Sequence, residues 1–132
     1  MLGSIAHIAL VVRQPTRTAE LFRTLFECEI VSRRDADGHD ETFVKLGYTW
    51  FALVQADSER SRTGDHVAFK VSKETLEATA RKLVALELEH IRARGGTSLY
   101  FFDYDNHVFE LDTVDLDEEL KSGVQPPAES HR

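Results

Sequence analysis

Apolar positions along this chain follow two alternating rhythms. The run Ala6-His7-Ile8-Ala9-Leu10-Val11-Val12 is continuously aliphatic apart from one imidazole, the pattern of a buried strand. After Pro15, which suits the first turn of a helix, Leu21, Phe22, Leu25 and Phe26 recur at spacings of one, three and four. That spacing predicts a helix over residues 16–26 with one apolar face. Three short extended stretches follow, CEIVSRR, ETFVKL and TWFALVQ, the last after a turn at Gly47. The polar linker ADSERSRTGD then breaks the pattern.

Beyond the linker the same order begins again. DHVAFKV reads as a strand, and SKETLEATARKLVALEL as a helix capped by Ser72, with Leu76, Ala80, Leu83 and Val84 on its inner face. EHIRA, SLYFFD and HVFELDT are again short and rich in β-formers, separated by RGG and by the turn DYDNH. The chain thus reads twice as strand, helix and three strands, in modules of about 4–56 and 64–114. The two opening strands match position by position: His7-Ile8-Ala9-Leu10-Val11-Val12 against His66-Val67-Ala68-Phe69-Lys70-Val71. An α+β domain over residues 1–120 is expected. A short acidic helix opens the C-terminal stretch, and a disordered tail is expected over 121–132, where Pro and Ser replace any periodicity.

Composition narrows the class of protein. The 132 residues suffice for one compact domain, and 42% hydrophobic with 30% charged residues is the balance of a folded soluble protein. With 23 acidic against 16 basic side chains the net charge is −7, a field that repels phosphate backbones and anionic bilayers, so neither nucleic acid nor membrane is an expected partner. The single cysteine, Cys28, cannot close an internal disulfide, and the N-terminal apolar run lacks a preceding basic segment; a cytoplasmic location is expected.

His7 is the misfit that introduces chemistry. One histidine in an apolar strand is ordinarily a hydrogen-bonded core or edge residue. Its recurrence at His66, at the same place in the second module, changes that weighting. The strand HVFELDT adds Glu110, which alternation turns to the face opposite Phe109 and Leu111. A divalent cation bound by two imidazoles and a carboxylate would satisfy all three polar groups and leave positions open for water or substrate. The other histidines, His39, His90, His107 and His131, lie in loops, at strand starts or in the tail, and no Gly-rich phosphate loop or Ser-His-Asp arrangement is evident.

HIALVV, DHVAFKV and SLYFFDYDNHVFELDT resemble the corresponding segments of the vicinal oxygen chelate superfamily, the group of glyoxalases, bleomycin resistance proteins and dioxygenases, and most closely its fosfomycin-resistance branch. The resemblance spans about residues 5–120, and YFFDYDNHVFEL is its most specific element. It implies paired βαβββ modules exchanged in a homodimer, each metal site taking His7 from one chain and His66 with Glu110 from the other. It implies a divalent metal, Mn²⁺ foremost, with Fe²⁺, Zn²⁺ or Ni²⁺ as alternatives. The general base of the hydrolytic members falls on Glu41, which favours water as the nucleophile over a thiol. Trp50 and Tyr100 match positions lining the substrate pocket, and Ser98 lies one strand-face period from Tyr100.

Two positions depart from the branch's pattern. Its phosphonate-binding arginine, nine residues after the metal-binding glutamate, falls on Glu119, and the threonine two residues after the first histidine is Ala9. Arg92 and Arg94, beside a loop shorter than the family's, are candidates to replace the lost charge at the substrate. The function expected is metal-dependent hydrolytic opening of a small epoxide, with Glu41 as base. The alternatives are another reaction type of the superfamily, such as thiol transfer, dioxygenation or isomerisation, or a protein that sequesters a small molecule.

Overall fold

The computed structural model of the chain describes residues 1–123. Two compact units divide it, the first Met1–Arg60 and the second beginning at Ser61. In the first, β1 (His7–Val12), α1 (Pro15–Phe26), β2 (Ile30–Arg34), β3 (Asp40–Leu46) and β4 (Thr49–Gln55) form one βαβββ module. In the second, β5 (His66–Lys70), α2 (Lys73–Ala85), β6 (His90–Ala93), β7 (Ser98–Phe102) and β8 (Val108–Asp112) repeat it, followed by α3 (Leu116–Ser122). The α+β fold with two βαβββ modules is therefore present.

Each sheet has four strands, ordered β1-β4-β3-β2 and β5-β8-β7-β6. The opening strand of each module lies at an edge and runs parallel to the last, because the helix carries the chain across; the remaining pairs are hairpin-like and antiparallel. Gly47, at φ 62°, supplies the left-handed backbone that closes the turn between β3 and β4.

One face of each sheet is sealed by its helix. In the first unit Leu10, Val12, Val44, Leu46, Phe51 and Leu53 are buried, as are Leu21, Phe22 and Leu25 of α1. In the second, Leu99, Phe101, Phe109 and Leu111 are buried with Leu76, Thr79, Ala80 and Leu83 of α2. Apolar residues on these strands alternate with polar ones, so the opposite face of each sheet carries the groups of chemical interest.

Ser72 caps α2 as expected, its Oγ accepting a hydrogen bond from the Thr75 amide at 3.1 Å. Val84 does not belong to the inner face. It is 64% exposed, and Thr79 is buried instead, because the buried stripe runs through 76, 79, 80 and 83. The strands are also shorter than the β-rich stretches suggest: Cys28 and Glu29 precede β2, and His107 precedes β8. The expected acidic helix is α3, capped by Asp115. Of the tail expected over 121–132, Lys121 and Ser122 close α3, and residues 124–132 lie outside the described residues. Among the described residues no helix is long and apolar enough to cross a membrane.

Candidate metal and substrate site

In the second unit, β5 and β8 place His66 and Glu110 on the open face, His66 registering with Val108 and Ala68 with Glu110. His66 Nε2 stands 3.2 Å from Glu110 Oε1. The carboxylate side chain is only 4% exposed, whereas the imidazole is 24% exposed. Glu110 Oε2 is buried with no hydrogen-bond partner among the described residues. A buried carboxylate oxygen without a donor is costly, and it marks a place where a cation or a proton belongs.

The His66 ring is set for the same role. Its Nδ1–H donates to the Gly64 carbonyl at 3.0 Å. Since a carbonyl only accepts, this bond leaves Nε2 of the neutral ring with its lone pair turned to Glu110. Two electron-pair donors facing each other are what a divalent cation requires, and an outer hydrogen bond that fixes the tautomer is the usual companion of an imidazole ligand. The residues present fit a divalent metal.

Tyr100 is buried across the β7–β8 ladder from Glu110, and its ring meets His66 edge-on at 5.5 Å between centroids. Ser98, two residues earlier on that face, is fully buried, and its Oγ too has no hydrogen-bond partner among the described residues. Tyr100 also lines a cavity of about 460 Å³ with Arg62, Gly64, Glu89, Ile91 and Phe102. Arg62 braces its wall: the guanidinium lies 3.7 Å from the Phe102 ring centroid, donates to Asn106 Oδ1 at 3.0 Å and pairs with Glu89 at 2.9 Å. That bond holds the Glu89 carboxyl below its ordinary pKa.

The two candidate arginines part company here. Arg92 registers with Leu99 and so lies on the helix face, away from Tyr100, where Glu77 of α2 takes its guanidinium through both Nη atoms. The structure does not bring Arg92 to the face of Glu110. Arg94 bonds Asp112 at 3.2 Å, and Asp112 registers with Ser98 on that face.

In the first unit the open face carries His7. His7, Trp50 and Lys45 form one row across β1, β4 and β3. Phe43, two residues from Lys45, meets Trp50 edge-on at 6.5 Å. Glu41 is on this face as well, four strand positions from Lys45 and hence about 13 Å along β3. Its Oε1 accepts from Arg33 Nε at 3.0 Å. A cavity of about 300 Å³ is lined by Ala6, His7, Val31, Arg33, Phe43 and Trp50.

Some site features were not singled out from sequence. Arg62 sits in what reads as a polar linker, and only its contacts reveal it. Lys45 was accessible: alternation through Glu41, Phe43 and Lys45 already places all three on one face. The Asp103–His107 pair was foreshadowed by the turn DYDNH. Asp103 Oδ1 accepts from the amides of Asp105 and His107 at 2.9 and 2.8 Å, and Oδ2 from His107 Nδ1 at 2.8 Å. Cys28 is half-buried and its thiol is pushed up by that burial, so it is no activated nucleophile.

No protein-family model matches the chain. Individual proteins do. The fosfomycin resistance protein FosX of Listeria monocytogenes is 32% identical over 129 residues, covering 92% of this chain and 97% of that protein. FosX of Listeria innocua is 30% identical over the same shares. This chain belongs to the fosfomycin-resistance family of the vicinal oxygen chelate superfamily. Among solved structures, FosX from Listeria monocytogenes superposes with a TM-score of 0.80 at 29% identity, over 92% of this chain and 99% of that one. A point variant of that FosX, complexed with Mn(II) and 1S,2S-dihydroxypropylphosphonic acid, matches with the same TM-score at 30% identity, over 91% of this chain and 99% of that one. Family members called metallothiol transferase FosB are more distant, at 27% identity for the protein of Staphylococcus epidermidis.

Proposed function

We propose that this member of the fosfomycin-resistance family is a Mn²⁺-dependent hydrolase that opens the ring of a small anionic epoxide with water. The observation that carries the reading is the buried Glu110 carboxylate, with Oε1 facing His66 Nε2 and Oε2 without a hydrogen-bond partner among the described residues. The diol phosphonate in the related FosX complex supports water as nucleophile, since a vicinal diol is what water addition to an epoxide gives.

His7, His66 and Glu110 would hold the metal, whose positive charge, when bound, polarises the ring oxygen and offsets the charge it gains on leaving. Glu41 is the general base. Its carboxylate accepts a proton from the water whose oxygen bonds to a ring carbon; that carbon's bond to the ring oxygen breaks, and the released oxygen is protonated to the second hydroxyl. Arg33, which donates to Glu41 Oε1 at 3.0 Å, holds the base in position. Trp50, Tyr100 and Ser98 are assigned to the pocket wall, and Arg94 to the support of Asp112 beside it.

We further assign a cytoplasmic homodimer with exchanged modules, in which His7 of the partner subunit completes the site built on His66 and Glu110. The position of β1 and β5 at sheet edges supports it, as edge strands are where another chain can be received.

Turnover of epoxypropylphosphonate by the Mn²⁺-loaded protein tests the reading. Activity that requires the metal and falls by about a hundredfold or more in Glu41→Gln is expected. Metal-independent activity, or an unchanged rate in Glu41→Gln, overturns it.

A further inference from the structure

The open face of the second sheet changes character along its strands. His66 registers with Val108, and Val108 with Phe102; Glu110 registers with Tyr100, and Tyr100 with Ile91. Two cross-strand rows that begin at the proposed metal donors therefore run outward through apolar and aromatic side chains. The next row is polar, with Lys70, Asp112 and Ser98 in register and Arg94 bonded to Asp112. The cavity of about 460 Å³ lies on the apolar half, walled by Ile91, Tyr100, Phe102 and Val108.

Three properties of the cavity define its occupant. First, a methyl group is close in size to a water molecule, which takes up about 30 Å³ of the liquid. The cavity is far larger than the methyl of a three-carbon epoxide needs, and cavities of about 300–1,000 Å³ hold drug-sized molecules. Second, its polar lining groups are served within the protein. Arg62 donates to Asn106 and pairs with Glu89, Thr63 Oγ1 accepts from the Asp65 amide at 3.2 Å, and the Gly64 carbonyl accepts from His66. The charges of Arg62 and Glu89 offset each other, so the walls suit an uncharged, apolar group. Third, the cavity adjoins the metal donors. The Tyr100 ring stands 5.5 Å from that of His66, and Val108 is the direct strand neighbour of His66.

We propose that this cavity receives an apolar substituent of the epoxide, longer than methyl, and that Ile91, Phe102 and Val108 select it. This inference rests on the hydrolase reading above and adds the class of substrate, an anionic epoxide bearing an alkyl chain or ring of several carbons. Ile91, Phe102 and Val108 are each half-buried, so a chain laid on them takes their remaining apolar surface out of water. Each methylene so buried strengthens binding by about three- to fourfold. The apolar and polar rows on either side of Glu110 also set orientation, with the chain toward Val108 and Phe102 and the anionic end away from them.

The test compares wild type with Ile91→Trp, which fills the cavity, and Ile91→Gln, which makes its wall polar, all loaded with Mn²⁺. Tyr100 separates Ile91 from Glu110 in their row, so retained Mn²⁺ affinity reports that each variant is folded. The substrates are epoxypropylphosphonate and (1,2-epoxyhexyl)phosphonate, in which butyl replaces methyl. Wild type favours the longer epoxide in kcat/KM by about tenfold or more, and this preference falls about tenfold in both variants. No preference in wild type, or the same preference in both variants, overturns the assignment. Calorimetric titration with methylphosphonate and butylphosphonate gives a readout independent of turnover. Butylphosphonate binding about tenfold tighter in wild type, with the difference lost in the variants, supports the cavity as the chain site. Equal binding of the two phosphonates to wild type overturns it. If wild type opens neither epoxide yet shows that difference in binding, and the variants lose it, the hydrolase reading fails while the chain site stands.

Discussion

His66 and Glu110 face each other across adjacent strands, Nε2 to Oε1 at 3.2 Å, with the second carboxylate oxygen buried and without a hydrogen-bond partner among the described residues. A divalent cation would satisfy both sides of this contact. The imidazole has its proton committed to the Gly64 carbonyl, and the carboxylate has been taken out of water with no donor for Oε2.

Glu110→Gln keeps the shape and removes the charge. Its Mn²⁺ affinity should fall by more than about a hundredfold, measured by calorimetry. Mn²⁺ at a hundred times its Kd should stabilise the wild type by about 2.7 kcal/mol and leave the variant's melting temperature unmoved. Equal affinity in the two proteins would remove Glu110 from the ligand set.

Module exchange makes a distinctive prediction about mixtures. His7→Ala and Glu110→Gln should each be inactive alone. Refolded together in equal amounts, they should regain about one quarter of wild-type activity, because half the dimers are mixed and one of the two sites in each is intact. No recovery would mean that His7 and Glu110 of one site come from the same chain.

Arg62 touches neither proposed ligand, yet it pins the segment whose Gly64 carbonyl orients His66. Arg62→Ala should weaken Mn²⁺ binding by about ten- to a hundredfold, as loss of an outer support does. Arg62→Lys should recover only part of this, since an ammonium cannot serve Asn106 and Glu89 as the planar fork does.

The Arg62–Glu89 pair also has a pH signature. Arg62 lowers the folded-state pKa of Glu89, so the pair's contribution is complete above the ordinary glutamate value of about 4.3 and is lost as pH falls through the lowered one. Both groups are well exposed, and the effect is correspondingly small. Denaturant melts of wild type and Glu89→Gln should converge on acidification and separate above about pH 5; a constant gap would mean that the pair is silent.

Asp103 holds the turn that delivers β8 and Glu110. Its fully buried carboxylate satisfies three donors, so Asp103→Ala should cost about 2–4 kcal/mol in urea unfolding. A loss below about 1 kcal/mol would mean that water or a neighbour replaces those bonds.

The readability of this chain differs by the kind of information. Period and capping are local, so the two βαβββ modules and the Ser72 cap are visible in the sequence, as is the alternation that turns Glu110 away from Phe109. Val84 was misplaced because periodicity sets the direction of a stripe but not which side of it the sheet covers. The contacts Arg33–Glu41 and Arg92–Glu77 were hidden for another reason: each joins separate elements, and its existence depends on register and helix placement. The same holds for Arg62, whose three partners, Asn106, Glu89 and Phe102, lie 27 to 44 residues away. The tautomer of His66 depends on a backbone carbonyl that no side-chain pattern reports.

The most direct test of metal-dependent hydrolysis is mass spectrometry of the product formed from epoxypropylphosphonate in ¹⁸O-enriched water by the Mn²⁺-loaded enzyme. The account predicts a vicinal diol carrying one ¹⁸O per molecule, formed without any added thiol and abolished by removal of the metal. An unlabelled product, a product that appears only as a thiol adduct, or diol formation that persists after chelation would contradict it.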